Sequence, residues 1–296
     1  MYSRKSLRAL PPQRPHKLKL SAILGKAIIY LLVVGIALVL LVPFAWTITT
    51  ALKTPQQTLR IPMEWIPNPV VWQNFVTAWT VKPFAIYYRN SLLIAALNII
   101  GQILSCSLVA YGFSRLRFPG RDVLFLVVLG TMMIPFQILI IPRFILFKNL
   151  GWLDSLLPLI VPQFFAGAFN IFLLRQYFMT IPTELDDAAK IDGCNHFDIF
   201  WRIILPLSKP ALGALMVFEF LGSWDDFLGP LIYISKDSNY TVALGLNAFR
   251  NDFFMEWNIF MAAAAVAMIL PLAVFFIAQE YFIGGIALTG SGGVKG

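Results

Sequence analysis

Six polar side chains lie in stretches that are otherwise apolar, and their chemical types favour hydrogen bonding over bond making. They are Asn98, Gln102, Gln137, Asn170, Glu219 and Asp225. Amides and carboxylates can bind the hydroxyl groups of a solute, and an ionisable residue inside an apolar span is a functional candidate by default. The alternative for Glu219 is a structural role, since most such groups serve helix packing. Gln163 and Gln279 are further candidates, and gating or helix capping is also expected of Asp225 and Asp226.

The chain has few residues of the kinds that covalent catalysis or metal binding requires. The two cysteines, Cys106 and Cys194, lie in an apolar helix and a charged segment, so a disulfide between them is not expected. The two histidines, His16 and His196, are far apart in sequence, which argues against a metal site. No G-x-x-x-x-G-K-[ST] phosphate loop occurs in the chain. We therefore predict no catalytic residue, metal or cofactor on this chain, and a membrane enzyme is disfavoured.

Acids, bases, small residues and helix punctuation crowd one segment, ELDDAAKIDGCNHFDIFWRIILP. Thr183 and Asp186 predict a capping box at the start of a first short helix, and Gly193 provides the left-handed residue that ends it. Asn195 predicts the cap of a second helix, with Asp198 at its third position. The expected structure is a helix, a tight turn and a second helix.

The two short helices have different faces. In the first, Asp186 and Lys190 are spaced i,i+4 on a side expected to face solvent, while Ala188 and Ala189 leave a shallow surface that another body can approach. Pro206 is expected to end the second helix. An apolar stripe on that helix consists of Phe197, Phe200, Trp201 and Ile204. This stripe must be buried, either on lipid headgroups or as a rigid knob in the groove of a partner.

These elements belong to a strongly apolar chain. Of its 296 residues, 58% are hydrophobic and 13% are charged, whereas a soluble domain has roughly 25% charged residues. A spanning helix needs about 20 mostly apolar residues. Stretches of this kind are 27–52, 90–114, 123–142, 155–174, 210–235 and 257–279. We predict an all-α membrane protein with six transmembrane helices, the second of which is polar enough to be an interior helix.

Lysine and arginine are distributed unevenly over the connecting segments. With the N-terminus inside, the inner segments collect most of them, beginning with a tail that holds Arg4, Lys5, Arg8, Arg14, Lys17, Lys19 and Lys26. Positive residues favour the cytoplasmic side, so both termini are expected there. The net charge of +8 then follows from membrane topology. Nucleic acid is not expected as a partner.

The predicted organisation has five parts. They are a basic cytoplasmic tail (1–25), a first anchor helix (26–50), an extracytoplasmic segment (51–87), a transmembrane domain (88–281) containing the charged loop (180–209), and a cytoplasmic tail (282–296). The first helix is predicted to be a retained anchor because its apolar run exceeds the roughly 7–15 residues of a signal-peptide core. The extracytoplasmic segment is rich in Pro, Trp and Tyr, which favours either an interfacial aromatic belt or a docking surface for an outer partner.

The charged loop resembles that of a known family. The run DAA at 187–189, DG at 192–193 and IILP at 203–206 resembles the EAA loop of the permease subunits of bacterial ABC importers. Its context, with WDDFLGPLI at 224–232, MAAAAVAMILP at 261–271 and GGVKG at 292–296, is similar to the carbohydrate branch, in particular the six-helix subunit of maltose-type and glycerol-phosphate-type systems. The resemblance covers nearly the whole chain beyond the basic tail. Two departures are Asp187, where the family has Glu, and Asp225, where it often has Asn.

This resemblance implies a type I ABC importer transmembrane domain with a cytoplasmic coupling helix, in the inner membrane of a bacterium. A second permease subunit would complete the pathway in the lipid bilayer, and two P-loop ATPase subunits would bind ATP and Mg²⁺. An extracytoplasmic solute-binding protein would deliver a sugar, oligosaccharide or polyol. Contact with the ATPases is then expected at Glu184, Asp187, Ala188, Ala189, Asp192, Gly193, Phe197 and Pro206.

The competing interpretation is a transporter or channel that works without an ATPase. It would need buried ion-coupling carboxylates or paired inverted repeats. Apart from Glu219, the sequence contains no evident sign of either.

Overall fold

The computed structural model describes residues 20–249 and 256–290. Every regular element within these residues is helical and none is a strand, which confirms the predicted all-α fold class. The basic tail up to residue 19, with His16, and the terminal GGVKG motif lie outside the described residues. The last helix continues to Gly290, so residues 282–290 of the expected tail are helical.

The α-helices follow one another through short connections. In chain order they are α1 (Leu20–Ala51), α2 (Pro55–Thr58), α3 (Gln73–Val81), α4 (Phe84–Arg115), α5 (Arg121–Thr131), α6 (Phe136–Asn149), α7 (Leu157–Ile160), α8 (Ala168–Thr180), α9 (Glu184–Ile191), α10 (His196–Ile199), α11 (Leu205–Leu207), α12 (Lys209–Trp224), α13 (Leu228–Tyr233), α14 (Val242–Ala248) and α15 (Trp257–Gly290). A 3₁₀ turn covers Val161–Phe165, a π-helical turn covers Phe200–Ile204, and a second 3₁₀ turn covers Asp237–Asn239.

Four of the described helical segments are long and apolar enough to cross a membrane, and two bent pairs raise the number to six if each pair is one span. The four segments are Leu24–Ala51, Phe84–Arg115, Leu157–Thr180 and Trp257–Gln279. The bent pairs are α5 with α6, and His196–Leu207 with α12. These segments overlap the six predicted spans, but the third, fourth and fifth predicted spans are not the single uninterrupted helices expected; the fourth consists of α7, a 3₁₀ turn and α8.

The third predicted span is broken by a bend of 91° between α5 and α6. Pro135 lies at this break, in an extended conformation directly before α6. A proline has no N–H to continue the hydrogen-bond ladder of a helix, and it disfavours helical geometry in the residue before it. The fifth predicted span ends at Trp224, ten residues or so earlier than expected. Asp226 accepts a hydrogen bond from the Gly229 N–H at 3.0 Å, and such a local side-chain bond competes with continuation of the helix.

The chain divides into two compact units, residues 1–47 and 48–296. Within the described residues, the first unit is the apolar stretch of α1 up to Thr47. In the second unit α4 is the central helix, and it packs most extensively against α8 and α12. Its buried residues contribute to all three hydrophobic clusters of that unit. The predicted interior position of this polar helix is therefore confirmed.

Candidate functional site

A cavity of about 390 Å³ lies between α4, α8, α12 and the 3₁₀ turn Val161–Phe165. Its volume falls in the range of roughly 300–1,000 Å³ that is typical of small-ligand sites. Helical spacing explains one wall, because Ile94, Asn98 and Gln102 follow at i, i+4 and i+8 on one face of α4. The cavity therefore brings together residues that are far apart in the sequence but share an inward helix face.

The α12 wall follows the same rule. Glu219, Ser223 and Asp226 are spaced i, i+4 and i+7, and all three line the cavity. Asp225 does not line it and is exposed; both aspartates follow Trp224, the last residue of α12. Asp225 was predicted for the pathway, and Ser223 was not predicted. The i+4 spacing from Glu219 is the signal that would have identified Ser223, whereas Asp226 lies beyond the end of α12 and helical periodicity does not place it.

Amide groups and one carboxylate form a network across the cavity. The Gln102 Oε1 atom accepts hydrogen bonds from Asn170 Nδ2 at 3.0 Å and from the Gly167 N–H at 3.1 Å. Gln102 Nε2 donates to Gln163 Oε1 at 2.7 Å, and Asn170 Nδ2 also donates to Glu219 Oε2 at 3.3 Å. The network ties α4, α8 and α12 to one another, and it brings four predicted residues, Asn98 excepted, into one chain of contacts.

Asn98 belongs to the same cavity but keeps one acceptor unused. Its Nδ2 donates to Ser223 Oγ at 2.9 Å, while its Oδ1 is buried and has no hydrogen-bond partner among the described residues. Two other predicted residues, Gln137 on α6 and Gln279 on α15, are exposed and do not line the cavity. Within residues 20–249 and 256–290, no group of three or more His, Cys, Asp or Glu side chains could hold a metal ion.

The second site is the charged loop, whose turn is built as the sequence predicts. Gly193 has φ +83°, and its N–H donates to the Lys190 carbonyl at 3.0 Å while the Cys194 N–H donates to the Ala189 carbonyl at 2.9 Å. These two bonds are the pair that defines a Schellman motif, in which a left-handed residue satisfies the last carbonyls of a helix. The predicted glycine turn after α9 is confirmed.

The start of the second short helix is also as predicted. Asn195 Oδ1 accepts from the N–H groups of Phe197 and Asp198, both at 2.9 Å, and Asp198 Oδ2 accepts from the Asn195 N–H at 3.3 Å. This is the reciprocal capping box. At the start of α9, by contrast, the Thr183 side chain makes no capping hydrogen bond and its backbone is already helical. The prediction of a capping box at Thr183 is wrong, because Asp186 turns inward to a tertiary partner.

That partner is Arg115, at the C-terminal end of α4. Arg115 Nη1 lies 3.5 Å from Asp186 Oδ2, and both side chains are buried. Arg115 Nη2 donates to the carbonyls of Phe178 at 2.9 Å and Ile181 at 2.7 Å, at the end of α8. Burial raises the pKa of Asp186 above its usual value, although the Arg115 guanidinium acts in the opposite direction. The predicted solvent-facing pair of Asp186 with Lys190 is wrong, and Lys190 Nζ pairs instead with Asp187 Oδ1 at 3.1 Å.

Apolar residues fix the inner side of the loop to the helices that line the cavity. Ala189, Ile199, Phe200 and Ile204 are buried in one cluster with residues of α4 and α8. The predicted apolar stripe is therefore only half right. Phe200 and Ile204 are buried, whereas Phe197 and Trp201 are exposed and stack on one another with ring centroids 6.3 Å apart.

The outer side of the loop is an exposed surface of mixed character, which we call the loop face. It consists of Glu184, Leu185, Asp187, Ala188, Ile191, Asp192, Gly193, Phe197 and Trp201. Ile191 is 87% exposed. Ala189, predicted to touch a partner, is only 5% exposed and faces the protein's own core, since it lies one residue, or about 100°, from Ala188.

Pro206 is exposed but does not end the second helix as predicted. The helical path runs from α10 through the π-helical turn and α11 as far as Leu207. Pro206 occupies the first turn of α11, where the missing N–H of a proline is tolerated. The Leu205 N–H donates to the Phe200 carbonyl, five residues back, which is the widened spacing of a π-helix.

Comparison with known proteins assigns the chain to a family. Residues 102–287 match the family described as "Binding-protein-dependent transport system inner membrane component". The sn-glycerol-3-phosphate transport system permease protein of Yersinia enterocolitica is 35% identical over 264 residues, which cover 86% of this chain and 93% of that one. The arabinooligosaccharides transport system permease protein of Bacillus subtilis is 31% identical, with coverage of 88% and 92%.

Solved structures share the same fold. A chain of a bacterial ABC transporter involved in the import of the acidic polysaccharide alginate matches with a TM-score of 0.78 at 21% sequence identity, covering 89% of this chain and 98% of that chain. The expected kinship with ABC importer permeases is thereby confirmed, and such a chain is a transport subunit and not itself an enzyme. The chain belongs to the family of inner-membrane components of binding-protein-dependent transport systems.

Proposed function

We propose that this chain is one permease subunit of an ATP-driven importer for a sugar, oligosaccharide or polyol, and that separate ATPase subunits dock on the loop of residues 184–206. Its relatives are named for the transport of glycerol 3-phosphate and of arabinooligosaccharides. A related importer has been solved in complex with an alginate-bound periplasmic protein. By analogy, a second permease and an extracytoplasmic solute-binding protein complete the transporter, while ATP and Mg²⁺ bind to the ATPase subunits.

One observation carries this proposal: the loop has an exposed outer side and a deeply buried inner side. The loop face offers acidic and apolar groups to a partner, with Asp187 71% exposed as a side chain. The inner side is anchored to α4 and α8 through the apolar cluster and through Arg115. Because α4 and α8 also carry Asn98, Gln102 and Asn170, a displacement of the loop reaches the cavity through rigid helices.

The mechanism is a two-state rearrangement. Closure of the ATPase pair on ATP displaces α9, and the buried anchor transmits that displacement to α4 and α8. The Gln102 network joins those helices to α12, so the cavity walls move relative to one another. In this scheme Asp187 supplies charge to the docking contact, Ala188 permits close approach and Gly193 sets the angle of the turn. The loop and both chain termini lie on the cytoplasmic side.

The test is purification of the intact transporter from its own membrane through a tag on this chain, followed by mass spectrometry and by reconstitution in liposomes. A P-loop ATPase and a second permease should co-purify, and solute uptake should require ATP. Purification of the chain alone, with solute movement that needs no ATP, would refute the proposal in favour of an ATPase-independent transporter.

Two aspartates allow a matched comparison of the docking contact. Asp187 pairs with Lys190 at 3.1 Å, and its side chain is 71% exposed. Asp122, in the first turn of α5, pairs with Arg121 at 2.9 Å, and its side chain is 73% exposed. Asp187→Ala is expected to reduce the amount of co-purified ATPase and the rate of ATP-driven uptake. Asp122→Ala removes an equivalent exposed ion pair and should leave both unchanged. Equal behaviour of the two variants would show that the acidic group of the loop face is not part of the contact.

A further inference from the structure

We infer that the cavity between α4, α8 and α12 binds an uncharged polyhydroxyl part of the solute and discriminates against phosphate esters. Glu219 and Asp226 are the residues that set this discrimination, and Asn98 is a positioning acceptor for a solute hydroxyl. The inference rests on the function proposed above and narrows its substrate class.

The cavity contains hydrogen-bond acceptors to which no described residue donates. Asn98 is 2% exposed, and its Oδ1 has no partner among the described residues. Glu219 is half-buried: its Oε2 accepts from Asn170, while its Oε1 accepts no hydrogen bond from the described residues and is not itself buried. A buried acceptor without a partner is unfavourable unless a ligand or water donates to it. The cavity is therefore built for a solute that brings its own donors, as hydroxyl groups do.

The charge of the cavity lining is negative. Two carboxylates, Glu219 and Asp226, line the cavity, and among the described residues that line it none is Lys, Arg or His. Arg143 acts electrostatically on Asp226, but it lies outside the lining, with its guanidinium over the ring of Phe136 at 5.3 Å. A phosphate group carries negative charge and accepts hydrogen bonds, so it meets like charge and unmatched acceptors here. Like-charge juxtaposition of this kind opposes binding strongly.

Donor groups in the cavity favour a neutral polyol over a cation. Ser223 Oγ accepts from Asn98, so its own proton is available to a ligand, and the amide nitrogen of Gln163 makes no hydrogen bond to the described residues. A hydroxyl group can accept from these donors as well as donate to the acceptors, whereas an ammonium group only donates. The rings of Phe169 and Phe218 also line the cavity, at an interplanar angle of 84°, and they provide apolar surface for the C–H faces of a sugar.

The experiment uses the intact transporter with its partner subunits in lipid nanodiscs, without ATP and without the solute-binding protein. Binding of three probes that share one sugar ring, glucose, glucose 6-phosphate and glucosamine, is measured by saturation-transfer NMR with mutual competition. We expect glucose to bind at least about tenfold more tightly than glucose 6-phosphate. The double variant Glu219→Gln with Asp226→Asn should lose most of this discrimination. Asn98→Leu by itself should weaken the binding of glucose.

Asp225→Asn is the matched control, because it removes a neighbouring carboxylate that does not line the cavity. It should leave the discrimination as in the native chain. Binding of glucose 6-phosphate as tight as that of glucose, preferential binding of glucosamine, or no binding of glucose would each overturn the inference. If an ATPase co-purifies and uptake requires ATP in such a case, the proposed function stands and only the substrate inference fails.

Discussion

Gly193 offers the sharpest test of the loop, because its role depends on backbone conformation alone. At φ +83°, a Cβ atom built on Gly193 meets nothing within 4 Å. Within this chain a substitution therefore acts through the left-handed backbone, which is unfavourable by about 1–2 kcal/mol for an ordinary L-residue. Asn tolerates this conformation better than Ala, and a β-branched Val tolerates it least.

The expected order of function is therefore Gly, Asn, Ala and Val. A change of about 1–2 kcal/mol alters a two-state population by a factor of about 5–30, so Gly193→Ala should weaken ATPase docking by a factor of that order. Gly193→Val should abolish uptake while the subunit remains in the membrane. The assays are immunoblotting of membranes, the ratio of ATPase to permease in the purified transporter, and ATP-driven uptake in liposomes. Native uptake by Gly193→Val, or an Asn variant less active than the Val variant, would refute the reasoning.

Two further predictions concern the packing that supports the sites. Arg115→Met or Asp186→Leu alone should lower the free energy of unfolding by about 3–5 kcal/mol, because each leaves a buried charge unpaired. The double variant should lose clearly less than the sum of the two single losses. Additive losses in a denaturant titration would count against a coupled pair. Gly245→Ala would bring a Cβ atom to 2.2 Å from Tyr87 Cδ2 and should be destabilising by about 1–3 kcal/mol, while Gly112→Ala, with nothing within 4 Å, should not. Equal melting temperatures for these two alanine variants would contradict the packing argument.

Local rules explain which parts of the loop could be predicted from the sequence. The turn at Gly193 and the cap at Asn195 depend on bonds to residues two to five positions away, so the pattern of residue types is sufficient. The role of Asp186 depends on Arg115, which is remote in sequence. No local pattern identifies such a partner, and the acid was therefore predicted to face solvent.

The cavity was predictable only as far as helix faces allow. Asn98 and Gln102 share a face of α4, and Glu219 points to Ser223 by the same periodicity. Gln137 could not be judged in this way, because the bend before α6 changes the direction of the chain. A proline at position 135 indicates that a break is possible but does not give its angle.

The length of α4 has a consequence for how the two sites communicate. Gln102 and Arg115 are thirteen positions apart on one helix that contains no proline, a separation of about 20 Å at 1.5 Å per residue. The cavity lies near the middle of this helix, and Arg115, which contacts the loop of residues 184–206, lies at its end. A tilt of about 5° about the Gln102 level would move the Arg115 end by about 2 Å, which is comparable to the length of a hydrogen bond. In the proposed mechanism, a displacement of about 2 Å at the loop would therefore correspond to a tilt of α4 of only about 5°.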